Sequence, residues 1–115
     1  MKRLLLVDDD YSLRLTLSLA LKSQGFQVES AGNALEALNM VKSNYYEWVI
    51  SDINMPHMNG WELVKLAKKE QPQLRFILIS AFLSKDELAE DEKRLIVAFL
   101  EKPVDLARLK YLIAD

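Results

Sequence analysis

The chain has 115 residues, of which half are apolar and 28% are charged, and its formal net charge at pH 7 is −2. This size and composition predict a single folded domain and argue against a disordered chain. The small negative charge argues against direct nucleic-acid binding, no apolar run approaches the roughly 20 residues of a membrane helix, and the absence of cysteine fits a reducing cytoplasm.

Five short apolar segments have the length and composition of β-strands. Continuous apolar runs favour strands buried on both faces of a parallel sheet, whereas alternation favours a half-exposed strand. Four segments are continuous and the second alternates; in chain order they are LLLV (4–7), FQVESA (26–31), WVIS (48–51), FILIS (76–80) and IVAFL (96–100).

Stretches with helical spacing lie between and after these strands. Side chains that suit helix caps, together with apolar residues three and four positions apart, indicate five helices. They are a stripe at Leu13, Leu17, Ala20 and Leu21 ending near Gly25; a helix capped by Asn33; one from Trp61 to Glu70; one with the capping pair Ser84 and Glu87; and one capped by Asp105. Strands that alternate with helices predict an α/β fold, an open parallel sheet covered by helices on both faces.

Polar residues follow four of the predicted strands directly. Asp8 to Asp10 follow the first, Asp52 the third, Ser80 ends the fourth, and Lys102 comes just after the fifth. The carboxyl ends of parallel strands meet at one edge, where such sheets bind ligands. Carboxylates about 4 Å apart resist joint ionisation unless a cation lies between them, and Mg²⁺ takes such oxygen ligands. One carboxylate could then attack phosphorus and form an acyl phosphate.

Four motifs together resemble the receiver domain of two-component response regulators, the family of the chemotaxis protein CheY. They are LLLVDDD, VISDINMPHMNGWEL, ILISA and FLEKP, in this order. The resemblance covers essentially the whole chain and implies one receiver domain over residues 1–115. It also implies a flavodoxin-like, doubly wound sheet of five parallel strands in the order 2-1-3-4-5, with five helices.

The resemblance assigns roles to the acidic residues. Asp52 matches the phosphoacceptor, which receives a phosphoryl group from a sensor histidine kinase, a histidine phosphotransfer protein or a small donor such as acetyl phosphate. Asp8, Asp9, Asp52 and the backbone carbonyl of Asn54 match the ligands of Mg²⁺, with Mn²⁺ as an alternative ion.

The remaining matched residues imply a switch. Lys102 matches the lysine that pairs with the acceptor and its phosphate, Ser80 the hydroxyl that turns toward the phosphoryl group, and Phe99 the aromatic that changes rotamer with it. The face formed by residues 84–115 would then report phosphorylation to a downstream partner or a fused output domain. A cytoplasmic monomer or weak phosphorylation-dependent dimer is expected, with no membrane and no direct nucleic-acid contact.

Three departures from the family pattern bear on this expectation. Leu95 and Ile96 stand where the family usually has a Gly-Ala pair, so the end of the fourth helix is expected to differ. Phe99 stands where tyrosine is commoner, so a switch would depend on packing alone. Phe82 would hinder hydrolytic water and slow the loss of phosphate.

Other interpretations of the same residues stay open at this point. Asp8, Asp10 and Ser12 also resemble the start of haloacid-dehalogenase-type phosphatases, in which Asp8 would be the nucleophile. A receiver-like scaffold that never takes phosphate is a third hypothesis. Taken singly, the acidic run is typical of a helix cap, and His57 of an exposed loop.

Overall fold

A computed structural model describes residues 2–81 and 93–114. Its strands are β1 (Arg3–Val7), β2 (Gln27–Ala31), β3 (Trp48–Asp52), β4 (Arg75–Ser80) and β5 (Ala98–Glu101). Its helices are α1 (Tyr11–Lys22), α2 (Ala34–Ser43), α3 (Gly60–Glu70) and α4 (Leu106–Ile113), the last of which is the fifth helix of the sequence prediction. The helix predicted from Ser84 and Glu87 and the expectation for Phe82 lie outside the described residues.

The five strands form one parallel sheet in the order β2-β1-β3-β4-β5, as predicted. The register aligns the carboxyl ends: Val7 at the end of β1 pairs with Ala31 and Ser51, and Ser80 at the end of β4 pairs with Glu101. The polar residues that follow the strands therefore come out at the same edge of the sheet.

Each face of the sheet is covered by two of the described helices. Alternate residues of a strand point to opposite faces, so Leu5 and Val7 enter one core while Leu4 and Leu6 enter the other. The first core contains side chains of α2 and α3, and the second contains side chains of α1 and α4. This arrangement is the predicted doubly wound fold.

The strands differ in burial because they differ in position. All five residues of the central strand β3 are buried, whereas β2 at one edge has only two buried residues, Val28 and Ala31. The continuous run in β5 predicts burial on both faces, and this is wrong: Leu100 is its one buried residue. β5 lies at the other edge of the sheet, where only one neighbouring strand shields it.

Helix starts follow the cap chemistry of the sequence. The side chains of Asp10, Asn33, Asn59 and Asp105 each accept a hydrogen bond from a backbone N–H of the first helical turn. Gly25 has a φ of +96°, the left-handed conformation predicted after the first helix. Of the helices that the structure describes, none has the length and apolar character needed to cross a membrane.

Candidate functional site

Three carboxylates meet beyond the ends of β1 and β3. One oxygen from each of Asp8, Asp9 and Asp52 lies within 4.8 Å of the others, a spacing that could hold a metal ion. Asp8 and Asp52 are only 3% and 5% exposed, while Asp9 faces solvent. The site therefore has a buried floor and one open side.

Lys102 reaches this cluster from the turn after β5. Its Nζ lies 2.8 Å from Oδ2 of Asp52 and 3.3 Å from Oδ2 of Asp8. A single ammonium thus bridges the two buried carboxylates, which come from different strands. Its presence lowers the electrostatic cost of burying two negative charges side by side.

The pKa values of two site residues reflect this crowding. Burial raises the pKa of Asp8 and the charge of Asp52 adds to the rise, while the Asp10 N–H and Lys102 partly offset it. Burial alone would lower the pKa of Lys102, but its hydrogen bond to Asp52 and the charges of Asp8 and Asp52 outweigh burial and raise it. Lys102 is therefore a cation at neutral pH.

Backbone groups fix the direction of both buried carboxylates. The N–H of Asp10 donates to Oδ1 of Asp8 at 2.8 Å, and the N–H of Asn54 donates to Oδ1 of Asp52 at 3.0 Å. Both are turns in which an aspartate accepts from the residue two positions later, a local preference of this side chain. In Asp52 one oxygen thus faces the backbone and the other faces Lys102.

Gly60 leaves room for the chain that carries Asp52. A Cβ atom at Gly60 would lie 2.8 Å from the Asp52 carbonyl oxygen and 2.9 Å from Cα of Ile53. The N–H of Gly60 donates to the Ile53 carbonyl at 2.9 Å. The start of α3 is therefore packed directly against the backbone of the site, and a side chain at position 60 would displace it.

Ser80 lies on the far side of the cluster from the β1 aspartates. It is 1% exposed, and its hydroxyl oxygen accepts a hydrogen bond from Nδ2 of Asn54 at 3.3 Å. Its carbonyl accepts from the N–H of Lys102 at 2.8 Å. Ser80 is thereby tied to the segment after Asp52 and to Lys102. Phe99 is half-buried and packs against the core beneath α2 and α3.

This arrangement of charges suits chemistry at a phosphoryl group. It offers a carboxylate oxygen as a nucleophile, hard oxygen ligands for a divalent cation, and an ammonium near the same oxygen. His57 is exposed with a φ of +72° in the loop after β3, as expected for a loop residue.

Comparison with known proteins agrees with the geometry. The sequence pattern of the family described as the response regulator receiver domain matches residues 4–114. The chain belongs to this family. The match spans all of the strands and described helices apart from Arg3 at the start of β1, and it favours a receiver domain over the phosphatase.

Individual relatives place the receiver domain in two kinds of protein. It is 36% identical to the transcriptional regulatory protein GlrR of Escherichia coli, over 97% of this chain and 25% of that protein. It is 28% identical to the sporulation initiation phosphotransferase F of Bacillus subtilis, over 95% of this chain and 88% of that protein. The chain thus spans a quarter of one relative and most of the other.

A solved structure gives the same fold with an ion in place. The response regulator TrrA of Thermotoga maritima, in complex with Mg²⁺ and BeF, superposes with a TM-score of 0.87 at 29% identity. The superposition covers 99% of this chain and 97% of that one.

Two residues of the site are given no role in the sequence analysis, although Gly60 lies within one of the four quoted motifs. Arg14 donates from Nη1 to the Asp8 carbonyl oxygen at 2.7 Å, and Gly60 contacts the backbone of Asp52 as described above. The motif reasoning considers side chains at strand ends, whereas both of these residues act on backbone atoms from within helices. The sequence signal for the Arg14 contact is its position one turn after the start of α1, which brings its side chain near the residues that precede the helix.

Proposed function

We propose that this receiver domain, residues 1–115, accepts a phosphoryl group on Asp52 in a Mg²⁺-dependent reaction and thereby changes a partner-binding face. The observation that carries the proposal is the position of the Asp52 carboxylate: it is nearly buried, 2.8 Å from Lys102 Nζ, and clustered with Asp8 and Asp9. Mn²⁺ has the same ligand preferences and would serve as an alternative ion.

The donor set fits Mg²⁺ because it consists of carboxylate oxygens with an open side where water and a phosphate oxygen can complete the shell. Asp8, Asp9 and Asp52 would hold the ion, and the backbone carbonyl of Asn54 would add a ligand. A bound Mg²⁺ supplies positive charge that neutralises the oxygens of the transferring group.

Asp52, Lys102 and Ser80 would each have a separate role in the transfer. An oxygen of Asp52 forms a bond to phosphorus while the bond from phosphorus to the donor breaks, and its electron pair leaves on the imidazole of a phosphohistidine or on acetate. The Lys102 ammonium, which pairs with the Asp52 carboxylate before transfer, would pair with the new phosphoryl oxygens afterwards. The Ser80 hydroxyl would donate a hydrogen bond to one of these oxygens. The product is an aspartyl phosphate, and the only catalysis expected is the domain's own phosphorylation and dephosphorylation.

A protein donor is favoured by the surface next to the site. Tyr11, Leu15 and Leu19 are 67%, 46% and 60% exposed on α1, which starts directly after the acidic cluster. Exposed apolar stripes of this kind are typical of protein contacts. We infer that the donor is a sensor histidine kinase or a histidine phosphotransfer protein, and that the reaction takes place in the cytoplasm.

The signal would leave through the face formed by residues 84–115, toward a downstream partner or a fused output domain. The names of the two relatives support both arrangements, since one is a transcriptional regulator four times as long and the other is hardly longer than this chain. Ser80 and Phe99 would couple the site to this face, because they lie on the neighbouring strands β4 and β5.

Intact-mass measurement after incubation with acetyl phosphate and Mg²⁺ tests the proposal. The wild-type chain should gain the mass of one phosphoryl group, and both Asp52→Asn and removal of Mg²⁺ with a chelator should abolish the gain. A label on Asp8 with repeated turnover would instead indicate the phosphatase. A wild-type chain that never gains the mass would indicate the scaffold.

A further inference from the structure

Arg14 lies between two loops at the edge of the acidic cluster. Its Nη1 donates to the Asp8 carbonyl oxygen at 2.7 Å, and its guanidinium carbon lies 5.5 Å from the centre of the Tyr11 ring. On the other side, a Cβ atom built at Gly32 would be only 3.0 Å from Nη1. The half-buried guanidinium therefore fills the space between the end of β1 and the end of β2.

The carbonyl that Arg14 holds belongs to the peptide that joins Asp8 to Asp9. A peptide unit is planar, so a hydrogen bond to its oxygen fixes the direction in which the next residue leaves. The N–H of Asp8 is held as well, because it donates to the Ala31 carbonyl at 3.2 Å. The backbone on both sides of the Asp8 side chain is thus tied down.

Asp9 has no such support of its own. Among residues 2–81 and 93–114, no group hydrogen-bonds or ion-pairs with its exposed carboxylate, although that carboxylate lies within 4.8 Å of Asp8 and Asp52. Like charges at this distance repel each other, so the direction of Asp9 depends on its backbone. Arg14 is the side chain that holds the carbonyl of the peptide before Asp9, while the Asp10 N–H on the other side donates to Oδ1 of Asp8.

We propose that Arg14 is a positioning residue for the metal site: by holding the Asp8–Asp9 peptide, it keeps the Asp9 carboxylate aimed into the acidic cluster. This inference rests on the proposed Mg²⁺-dependent function. Arg14 itself does not touch the ion. Residues that orient metal ligands in this way typically change metal affinity by about 10- to 100-fold when they are replaced.

Calorimetric titration with Mg²⁺ alone tests the role of Arg14. Arg14→Ala should weaken Mg²⁺ binding about tenfold. Arg14→Lys keeps the charge but lacks the planar fork, so it should recover only part of the loss. Lys22→Ala, which removes a positive charge from the exposed other end of α1, should bind Mg²⁺ as the wild type does.

Gly32→Ala gives a second way to disturb the same contact without touching Arg14. The new methyl group would require the end of the Arg14 side chain to shift by a few tenths of an ångström next to the Asp8 carbonyl, so Mg²⁺ binding should weaken in the same direction as in Arg14→Ala but by less. The double variant should bind no more weakly than Arg14→Ala alone, because both changes remove one interaction.

Amide hydrogen exchange without Mg²⁺ separates positioning from a general loss of stability. In Arg14→Ala the Asp10 N–H, which donates to Oδ1 of Asp8, should exchange faster while the Phe76 N–H in the core keeps its rate. Equal acceleration at both positions would overturn the inference, as would an Arg14→Ala variant with wild-type Mg²⁺ affinity. A wild-type chain that binds no Mg²⁺ would overturn the proposed function together with it.

Discussion

Replacing Asp9 with asparagine should stabilise the metal-free domain. The substitution removes one negative charge from a cluster whose oxygens lie within 4.8 Å of each other, and it breaks no hydrogen bond among the described residues. At the dielectric constant of water each like-charge pair at this distance costs about 0.9 kcal/mol, so two pairs cost roughly 2 kcal/mol. Lys102 offsets part of this repulsion, which leaves an expected gain of about 1 kcal/mol.

Mg²⁺ should increase the free energy of unfolding less for Asp9→Asn than for the wild type. At a concentration 100 times its dissociation constant, an ion that binds only the folded state adds about 2.7 kcal/mol of stability. If the lost carboxylate weakens binding tenfold, the same concentration adds only about 1.4 kcal/mol to Asp9→Asn. The variant should therefore start higher and gain about half as much.

Thermal and urea unfolding with and without Mg²⁺ measure both effects. The gain without metal corresponds to a rise in Tm of about 4 °C for a domain of this size. Glu70→Gln is the matched control, since it removes an exposed negative charge at the far end of α3 and should keep the full response to Mg²⁺. A lower stability of metal-free Asp9→Asn, or a response to Mg²⁺ equal to that of the wild type, would refute the reasoning.

Three further changes test other contacts. Lys102→Met should cost about 3 kcal/mol without metal, because it leaves two nearly buried carboxylates without a counter-charge; urea unfolding measures this cost, and adding Asp52→Asn should recover part of it. Gly60→Ala should lower the free energy of unfolding by about 2 kcal/mol, because the new Cβ would clash with the backbone of Asp52 and Ile53. Alanine has a higher helix propensity than glycine, so a gain in stability would show that the clash is absent. Burial and its bond to Glu29 raise the pKa of Tyr46 to about 12 from 10.0, so its contribution to stability is complete below pH 10 and is lost as pH rises through about 12. Unfolding measured across this range should therefore show a smaller alkaline loss in Tyr46→Phe than in the wild type.

The edge of the sheet that carries the site was predictable because strand and helix patterns are local. Continuous apolar runs gave four strands and an alternating run gave β2, and in a parallel sheet all carboxyl ends lie at one edge. Asp52 ends its strand, and Asp8 and Lys102 each come one residue after theirs, so their meeting required in addition only the strand order, which the resemblance to receiver domains implied. Residue type alone does not distinguish the roles of three consecutive aspartates. The side chain of Asp10 caps α1, whereas the neighbouring Asp8 and Asp9 belong to the acidic cluster.

Several contacts of the site were not predictable from the same patterns. Arg14 binds a carbonyl oxygen, which every residue possesses, so the residue types do not reveal the partner. The bond from Asn54 to Ser80 joins segments 26 residues apart and depends on how the loop after β3 turns. The exposure of β5 likewise depends on its place at the sheet edge rather than on its own composition.

The proposed coupling between the site and the face formed by residues 84–115 would rest on packing alone. Ser80 at the end of β4 pairs with Glu101, and two positions earlier Leu78 pairs with Phe99. In the proposed switch, a shift of Ser80 would act on the strand that carries the aromatic ring. Phe99 is half-buried and lacks the hydroxyl that a tyrosine would bring. Burying a further ~50 Å² of its ring would contribute about 1 kcal/mol. Couplings between distant sites are typically about 1–3 kcal/mol, so a switch of this kind would not need a hydrogen bond from residue 99.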